Sequence, residues 1–97
     1  MTARIHSPKS GVAEIIIDRD IKRNALNTAT IQAITTAATH LQSDPELHVV
    51  VLKSEGTQAF SAGADIGELS ALDATTAYDF IDALRGAIQA VADIPVP

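Results

Sequence analysis

Cysteine is absent from this chain of 97 residues, which excludes a disulfide scaffold, a thiolate metal site and a cysteine nucleophile. Aromatic residues make up only 3% of it while apolar residues reach 46%, so the core has to be built from Ala, Ile, Val and Leu. Positive charge is scarce as well: seven Lys and Arg stand against twelve Asp and Glu, for a formal net charge of −5. A nucleic-acid-binding module needs a clustered basic face against phosphate, and these cations are spread along the chain. Long apolar runs are missing too. None approaches the roughly 20 residues of a membrane-spanning helix, and Met1-Thr2-Ala3-Arg4-Ile5-His6 lacks the apolar centre of a secretory signal. The expectation is a cytoplasmic protein with neither nucleic acid nor membrane as partner.

Length is the harder constraint. One domain is the natural count, and a chain so short buries only about 60–65% of the surface it exposes when unfolded. The residues Asp93-Ile94-Pro95-Val96-Pro97 open an apolar segment that is then interrupted. The chain is therefore expected to be the N-terminal part of a longer protein, residues 1–97 of a single domain, and to be unstable or self-associating in isolation.

Two β-like runs, Ala3 to His6 and Val12 to Asp18, flank Ser7-Pro8-Lys9-Ser10-Gly11, whose Pro and Gly suit a hairpin turn. The continuous β-branched run Ile15-Ile16-Ile17 suits a strand covered on both faces. From Thr28 to Gln42, Ile31, Ile34, Ala38 and Leu41 fall on one helical stripe, with Asn27 placed as N-cap and Ser43-Asp44-Pro45 as the stop. Val49-Val50-Val51-Leu52 reads as a third, buried strand, which makes a right-handed βαβ unit with parallel strands. A long connection of small residues follows. Asp65-Ile66-Gly67-Glu68 has the form of a capping box, so a short helix is expected from Ile66. A last helix starts near Ala74 behind Asp73, with Ala77, Ile81, Leu84, Ile88 and Val91 along one face and little for that face to pack against.

The segment Ala59-Phe60-Ser61-Ala62-Gly63-Ala64-Asp65-Ile66-Gly67-Glu68 is the most informative. Between a strand and a helix it offers backbone N–H groups with almost no side-chain bulk, which lets a backbone approach an anion or a polarised carbonyl. A plain strand-to-helix turn is the competing reading. Asp65 and Glu68 form a possible acid/base pair, although helix capping accounts for both. Arg19, Lys22 and Arg23 collect three cations at the carboxyl end of the second strand, where open parallel sheets bind ligands. A phosphate-bearing ligand suits them, as does a solvated loop paired with Asp18 and Asp20. His6, His40 and His48 show no metal-ligand spacing, and no dinucleotide or P-loop fingerprint is present.

Taken together, two segments carry a resemblance. Arg19-Asp20-Ile21-Lys22-Arg23-Asn24-Ala25-Leu26-Asn27 is similar to the RPxKRNALN segment of the enoyl-CoA hydratase/isomerase (crotonase) superfamily, and Phe60-Ser61-Ala62-Gly63-Ala64-Asp65-Ile66 to its FxAGADI segment. The resemblance spans nearly the whole chain, since a helix and a strand separate the two motifs as in the family. It implies an α/β fold, the first repeats of an incomplete crotonase-like ββα spiral, with a helical trimerisation region further on. The implied ligand is an acyl-CoA thioester, coenzyme A entering as part of the substrate with no separate cofactor and no metal.

By the same resemblance the backbone around Ala62 and Ala64 holds the adenine and thioester ends of a bent CoA. The Ala64 N–H is one of two oxyanion-hole donors, and Lys22, Arg23 and Ala25 lie along the nucleotide, with Asp65 and Ile66 completing the substrate-binding set. Asp20 replaces the proline usual in the first motif, and Gly67 stands where many members have a basic residue; both departures bear on CoA affinity rather than on chemistry. The second oxyanion donor and the acid/base glutamates fall past the family position matching Pro97. The expected activity is hydration of a 2-enoyl-CoA by a full-length homotrimer or hexamer, with the 97-residue chain inactive alone. Enoyl-CoA isomerase, hydrolase, dehalogenase or carboxylyase chemistry stays open, as does a non-catalytic α/β module that pairs through its sheet.

Overall fold

The computed structural model describes residues 2–97. Its elements run β1 (Ala3–Lys9), β2 (Val12–Ile17), a single 3-10 turn (Asp20–Lys22), α1 (Thr28–Gln42), β3 (Val49–Ser54), α2 (Ile66–Leu69) and α3 (Ala74–Ala92). The strands form one sheet in the order β1-β2-β3.

β1 and β2 pair antiparallel from Ala3↔Ile17 to His6↔Glu14, and the register then shifts before Lys9↔Val12. Pro8 therefore lies inside β1 and not in the turn expected for it, which shrinks to Ser10-Gly11. A proline has no N–H for the ladder, and an outer strand with a register shift is where a sheet accommodates one. β2 is central. Its residues Ile15, Ile16 and Ile17 are 0%, 3% and 2% exposed; Ile15 and Ile17 join the apolar clusters under α1, and Ile16, on the opposite face, lies between the flanking strands.

β2 pairs parallel with β3, from Val12↔Val49 to Ile17↔Ser54, so the expected βαβ unit is present. The expectation that β3 is buried does not hold: it is the outermost strand, and Val51 and Leu52 are 41% and 38% exposed. Val50 alone of its residues packs onto the core, and its N–H donates to the Pro97 carbonyl at 2.8 Å, which lays the last residues along the outer side of β3.

α1 forms as its stripe dictates. The Asn27 Oδ1 accepts the Thr30 N–H at 2.9 Å, and Ile31, Ile34, Ala38 and Leu41 are buried together with Ala33 and Ala37. These residues meet Ala13, Ile15 and Ile17 of the sheet in two adjoining apolar clusters.

α3 starts where expected, behind a capping box of Asp73 and Thr76, but its phase differs. Phe80 and Ala87 are buried, and Leu84 and Val91 pack beside them, while Ile81 and Ile88 remain 48% and 64% exposed. The helix carries two apolar stripes offset by one position. The side bearing the large Phe80 ring faces the core, because an aromatic side chain contributes the most apolar area. α3 thus does have a packing partner: it lies on α1, where Gln42 Nε2 also donates to the Ala90 carbonyl at 2.8 Å.

Candidate functional site

Because β2 and β3 are parallel, Ile17 and Ser54 end on the same side of the sheet, and the loops leaving them meet there. In the first loop, Arg23 and Asn24 follow the 3-10 turn with φ of 53° and 56°. The left-handed region suits Asn, whose short polar side chain bonds locally, and is uncommon for Arg. Asn24 is completely buried. Its Oδ1 accepts the Arg19 N–H at 2.9 Å, and its Nδ2 donates to the carbonyls of Glu55 and Ala59, both at 2.9 Å, in the second loop. Arg19 makes a further link, its Nη1 donating to the Ala25 carbonyl at 2.9 Å and to Asp65 Oδ2 at 2.7 Å.

The second loop is bound to the first almost residue by residue. Ser61 Oγ donates to the Asn24 carbonyl at 2.9 Å and accepts the Gly63 N–H at 3.1 Å. The Ala62 N–H reaches the Arg23 carbonyl at 3.0 Å, the Leu26 N–H the Gly63 carbonyl at 2.8 Å, and the Asp65 N–H the Leu26 carbonyl at 3.0 Å. The last two bonds bracket Ala64 in a one-residue parallel bridge with Leu26. In such a bridge the bracketed residue turns its own N–H and C=O away from its partner strand. Among the described residues the Ala64 N–H has no acceptor, and the carbonyls of Ala62 and Ala64 have no donor. Gly63 permits this path with a φ of 90°, which L side chains rarely adopt.

The carboxylates expected as a possible acid/base pair are both engaged. Asp65 caps α2 by accepting the Glu68 N–H at 3.0 Å. Its hydrogen bond from Arg19, with the Glu68 N–H second, holds its carboxyl below the usual carboxylate range. Glu68 does not close the capping box by reaching back, since the Asp65 N–H is already spent on Leu26. The Glu68 carboxylate instead accepts from the N–H and hydroxyl of Thr28, tying α2 to the start of α1.

The three cations separate. Arg19 is mostly buried with Asp65 and belongs to the loop-to-loop link, while Asp18 pairs with Arg4 at 3.0 Å. Lys22 and Arg23 are exposed and have no ion-pair partner among the described residues. Asp20, the departure from the family's proline, leans onto Gly56, where a Cβ would lie 2.0 Å from its Oδ1. That oxygen is buried without a hydrogen-bond partner among the described residues. Ala25 is half-buried, Ala62 is exposed, and Ile66 is 80% exposed at the start of α2. His6 bonds Glu14 at 2.8 Å on the exposed sheet face, far in register from the loops.

Sequence reasoning assigned no role to Asn24 or Ser61, and it grouped Arg19 with Lys22 and Arg23 for a phosphate-bearing ligand, a solvated loop or pairing with Asp18 and Asp20, not with Asp65. The available signal was an Asn in a tight loop that has no glycine to supply positive φ.

These features define an α/β unit whose parallel strands deliver a backbone ledge, Ala62 to Asp65, in which the Ala64 N–H alone has no acceptor among the described residues. The family profile described as enoyl-CoA hydratase/isomerase matches residues 7–97. The chain belongs to that family. Mouse mitochondrial enoyl-CoA hydratase domain-containing protein 2 is 31% identical over 90 residues, covering 93% of this chain and 30% of the relative. Human mitochondrial methylglutaconyl-CoA hydratase is 29% identical over 87 residues, 90% of this chain and 26% of the relative. An enoyl-CoA hydratase/carnithine racemase from Magnetospirillum magneticum superposes with a TM-score of 0.92 at 29% identity, over 100% of this chain and 37% of that one. The Bacillus anthracis enoyl-CoA hydratase superposes with a TM-score of 0.95 at 23% identity and 38% of its length, which bears on the fold. The fold is thus the expected crotonase-like one, and the chain spans about a third of the length of the relatives it matches.

Proposed function

We propose that the ledge binds an acyl-CoA thioester and that, in a chain of the relatives' length, it serves the hydration of a 2-enoyl-CoA. The supporting observation is the Ala64 N–H, without an acceptor among the described residues and held between the bonded residues Gly63 and Asp65. Addition of water to an enoyl thioester drives negative charge onto the carbonyl oxygen. An N–H already oriented at that oxygen stabilises the charge without reorganising, an effect typically worth a few kcal/mol.

The Ala62 carbonyl is suited to accept from the adenine amino group, and Lys22 and Arg23 to lie along the phosphates. Ala25 and Ile66 flank the ligand, while Asp65 acts by fixing the ledge through Arg19. Coenzyme A enters with the substrate, and no separate cofactor or metal takes part. The assembly is a homotrimer or hexamer in the cytoplasm, and the 97 residues alone are inactive. Isomerisation uses the same donor, so the acid/base residues, which the resemblance puts outside this stretch, decide between the two.

The test is a pair of variants in the whole protein. Ala64→Pro removes the N–H and is expected to lower turnover by roughly 100-fold or more. Ala64→Ser keeps it and is expected to be mild. Equal losses would show that Ala64 matters for packing, and the oxyanion reading would fall.

A further inference from the structure

Ala64 can direct its N–H outward only while the second loop stays pinned to the first, and the one fully buried side chain in that pinning, Asn24, makes two bonds to the second loop and one within the first. We propose that Asn24 is the positioning residue of the ledge. By holding Glu55, Ala59 and Arg19 at once, it sets the direction of the Ala64 N–H while lying out of reach of any ligand. This deepens the reading of Ala64 as an oxyanion donor and rests on it.

The argument runs through the accounting of polar groups. The Asn24 side chain uses both of its N–H donors and its oxygen, each at 2.9 Å, on backbone groups of Glu55, Ala59 and Arg19. Its backbone is also committed, the N–H to the Arg19 carbonyl at 2.8 Å and the carbonyl to Ser61 Oγ at 2.9 Å. Ser61 passes the restraint to the Gly63 N–H, and Gly63 and Asp65 bracket Ala64. The Asn24 backbone thus holds the Ala64 end of the second loop through Ser61, while its side chain holds the start of that loop at Glu55 and Ala59. Asn24 itself is 0% exposed, so it touches no ligand.

No other residue type meets these demands. Glycine adopts the φ of 56° but leaves the Arg19 N–H and the Glu55 carbonyl unpaired among the described residues, and the Ala59 carbonyl with only the long bond from Ser54 Oγ at 3.4 Å. Aspartate keeps the size and the acceptor but turns a carboxylate toward two carbonyl oxygens. A buried polar group left without its partner costs more than the bond contributed when made. The loops relieve that cost by separating and admitting water, which frees the direction of the Ala64 N–H.

The test compares Asn24→Gly, which carries no backbone strain at this φ, with the unmutated whole protein. Amide hydrogen exchange at Leu26, Ala62 and Asp65 is expected to accelerate by roughly 10- to 100-fold relative to the amides of α1. In parallel, crotonyl-CoA labelled with carbon-13 at the thioester carbonyl is bound, and its carbonyl stretch is read by infrared difference spectroscopy. The unmutated protein is expected to lower that frequency, and Asn24→Gly to return it toward the value in water.

If exchange at the three amides rises only as much as in α1, Asn24 merely stabilises the fold and the proposal is overturned. It is also overturned if the carbonyl shift survives in Asn24→Gly. A labelled carbonyl left unshifted by the unmutated protein overturns the oxyanion reading itself, whatever the exchange shows. Should Asn24→Gly fail to fold, Asn24→Asp answers the same two questions. If neither folds, exchange in the unmutated protein under mild denaturant decides: Leu26, Ala62 and Asp65 must open together and before α1, and their opening with α1 overturns the proposal.

Discussion

Two of the places where this molecule buries a side chain completely do so by opposite means. Ile15 and Ile31, at 0% and 1% exposure, are enclosed by apolar neighbours between the sheet and α1. Asn24, also at 0%, is enclosed by hydrogen bonds at the junction of two loops. Apolar packing loses energy in proportion to the atoms removed and points nowhere in particular. A hydrogen-bonded junction is directional, and loss of one member leaves the others unpaired. The core accordingly supplies stability, and the junction supplies the direction of a single N–H.

The largest expected effect is on the core. Ile31→Ala is expected to destabilise the whole protein by about 2–5 kcal/mol, through lost transfer energy and the cavity left behind. Denaturant unfolding measures it, and exchange at the loop amides should rise in step with that at α1. A selective rise in the loops would break the separation of the two regions.

The junction has an acid limit that the core lacks. The Asp65 carboxyl titrates below its ordinary value because of the Arg19 hydrogen bond and the Glu68 N–H. On acidification the unfolded state takes up the proton first. The stabilisation is therefore fully present above the unfolded value of about 3.9 and is lost as pH falls through the lower folded value. Comparison of thermal midpoints for the unmutated protein and Asp65→Asn checks this. The difference between them should be greatest at neutral pH and shrink below about pH 4; a difference independent of pH would remove the ion pair from the account. Glu14 and Asp73, whose carboxyls are also held low by His6 and by Thr76, cancel in this comparison.

Smaller still is the contribution of the exposed cations beside the junction. Lys22→Ala with Arg23→Ala is expected to raise KM for an enoyl-CoA by roughly 3- to 10-fold with kcat nearly unchanged, because uniform binding is what such charges supply. The penalty should shrink at high salt, and a short thioester without the nucleotide should be indifferent. Equal loss of kcat on both substrates would make these residues supports of the loop.

The smallest effect is a gain. Gly86 lies inside α3, and a Cβ there would meet nothing within 4 Å. Gly86→Ala is expected to stabilise the protein by about 0.5–1 kcal/mol, with no change at the loop amides. A loss of stability would mean that this face of α3 is covered in the whole protein.

The sequence by itself determined the parts governed by neighbours along the chain. The α1 boundaries, the Asn27, Asp65 and Asp73 caps, the hairpin and the βαβ order all follow from local spacing, because capping and periodicity act within a turn or two of chain. The motif pair also located both loops of the candidate site. Only the tertiary structure decided the rest. Which of two apolar stripes α3 turns inward depended on the competition between Phe80 and Ile81 for one surface of α1. Arg19 found Asp65, 46 positions away, in place of its neighbours Asp18 and Asp20. Asn24 acquired its partners from a loop more than 30 residues further along. A side chain's hydrogen-bond capacity is written in its chemistry, but the groups that satisfy it are chosen by the path of the backbone, and that path exists only once β2, α1 and β3 have packed.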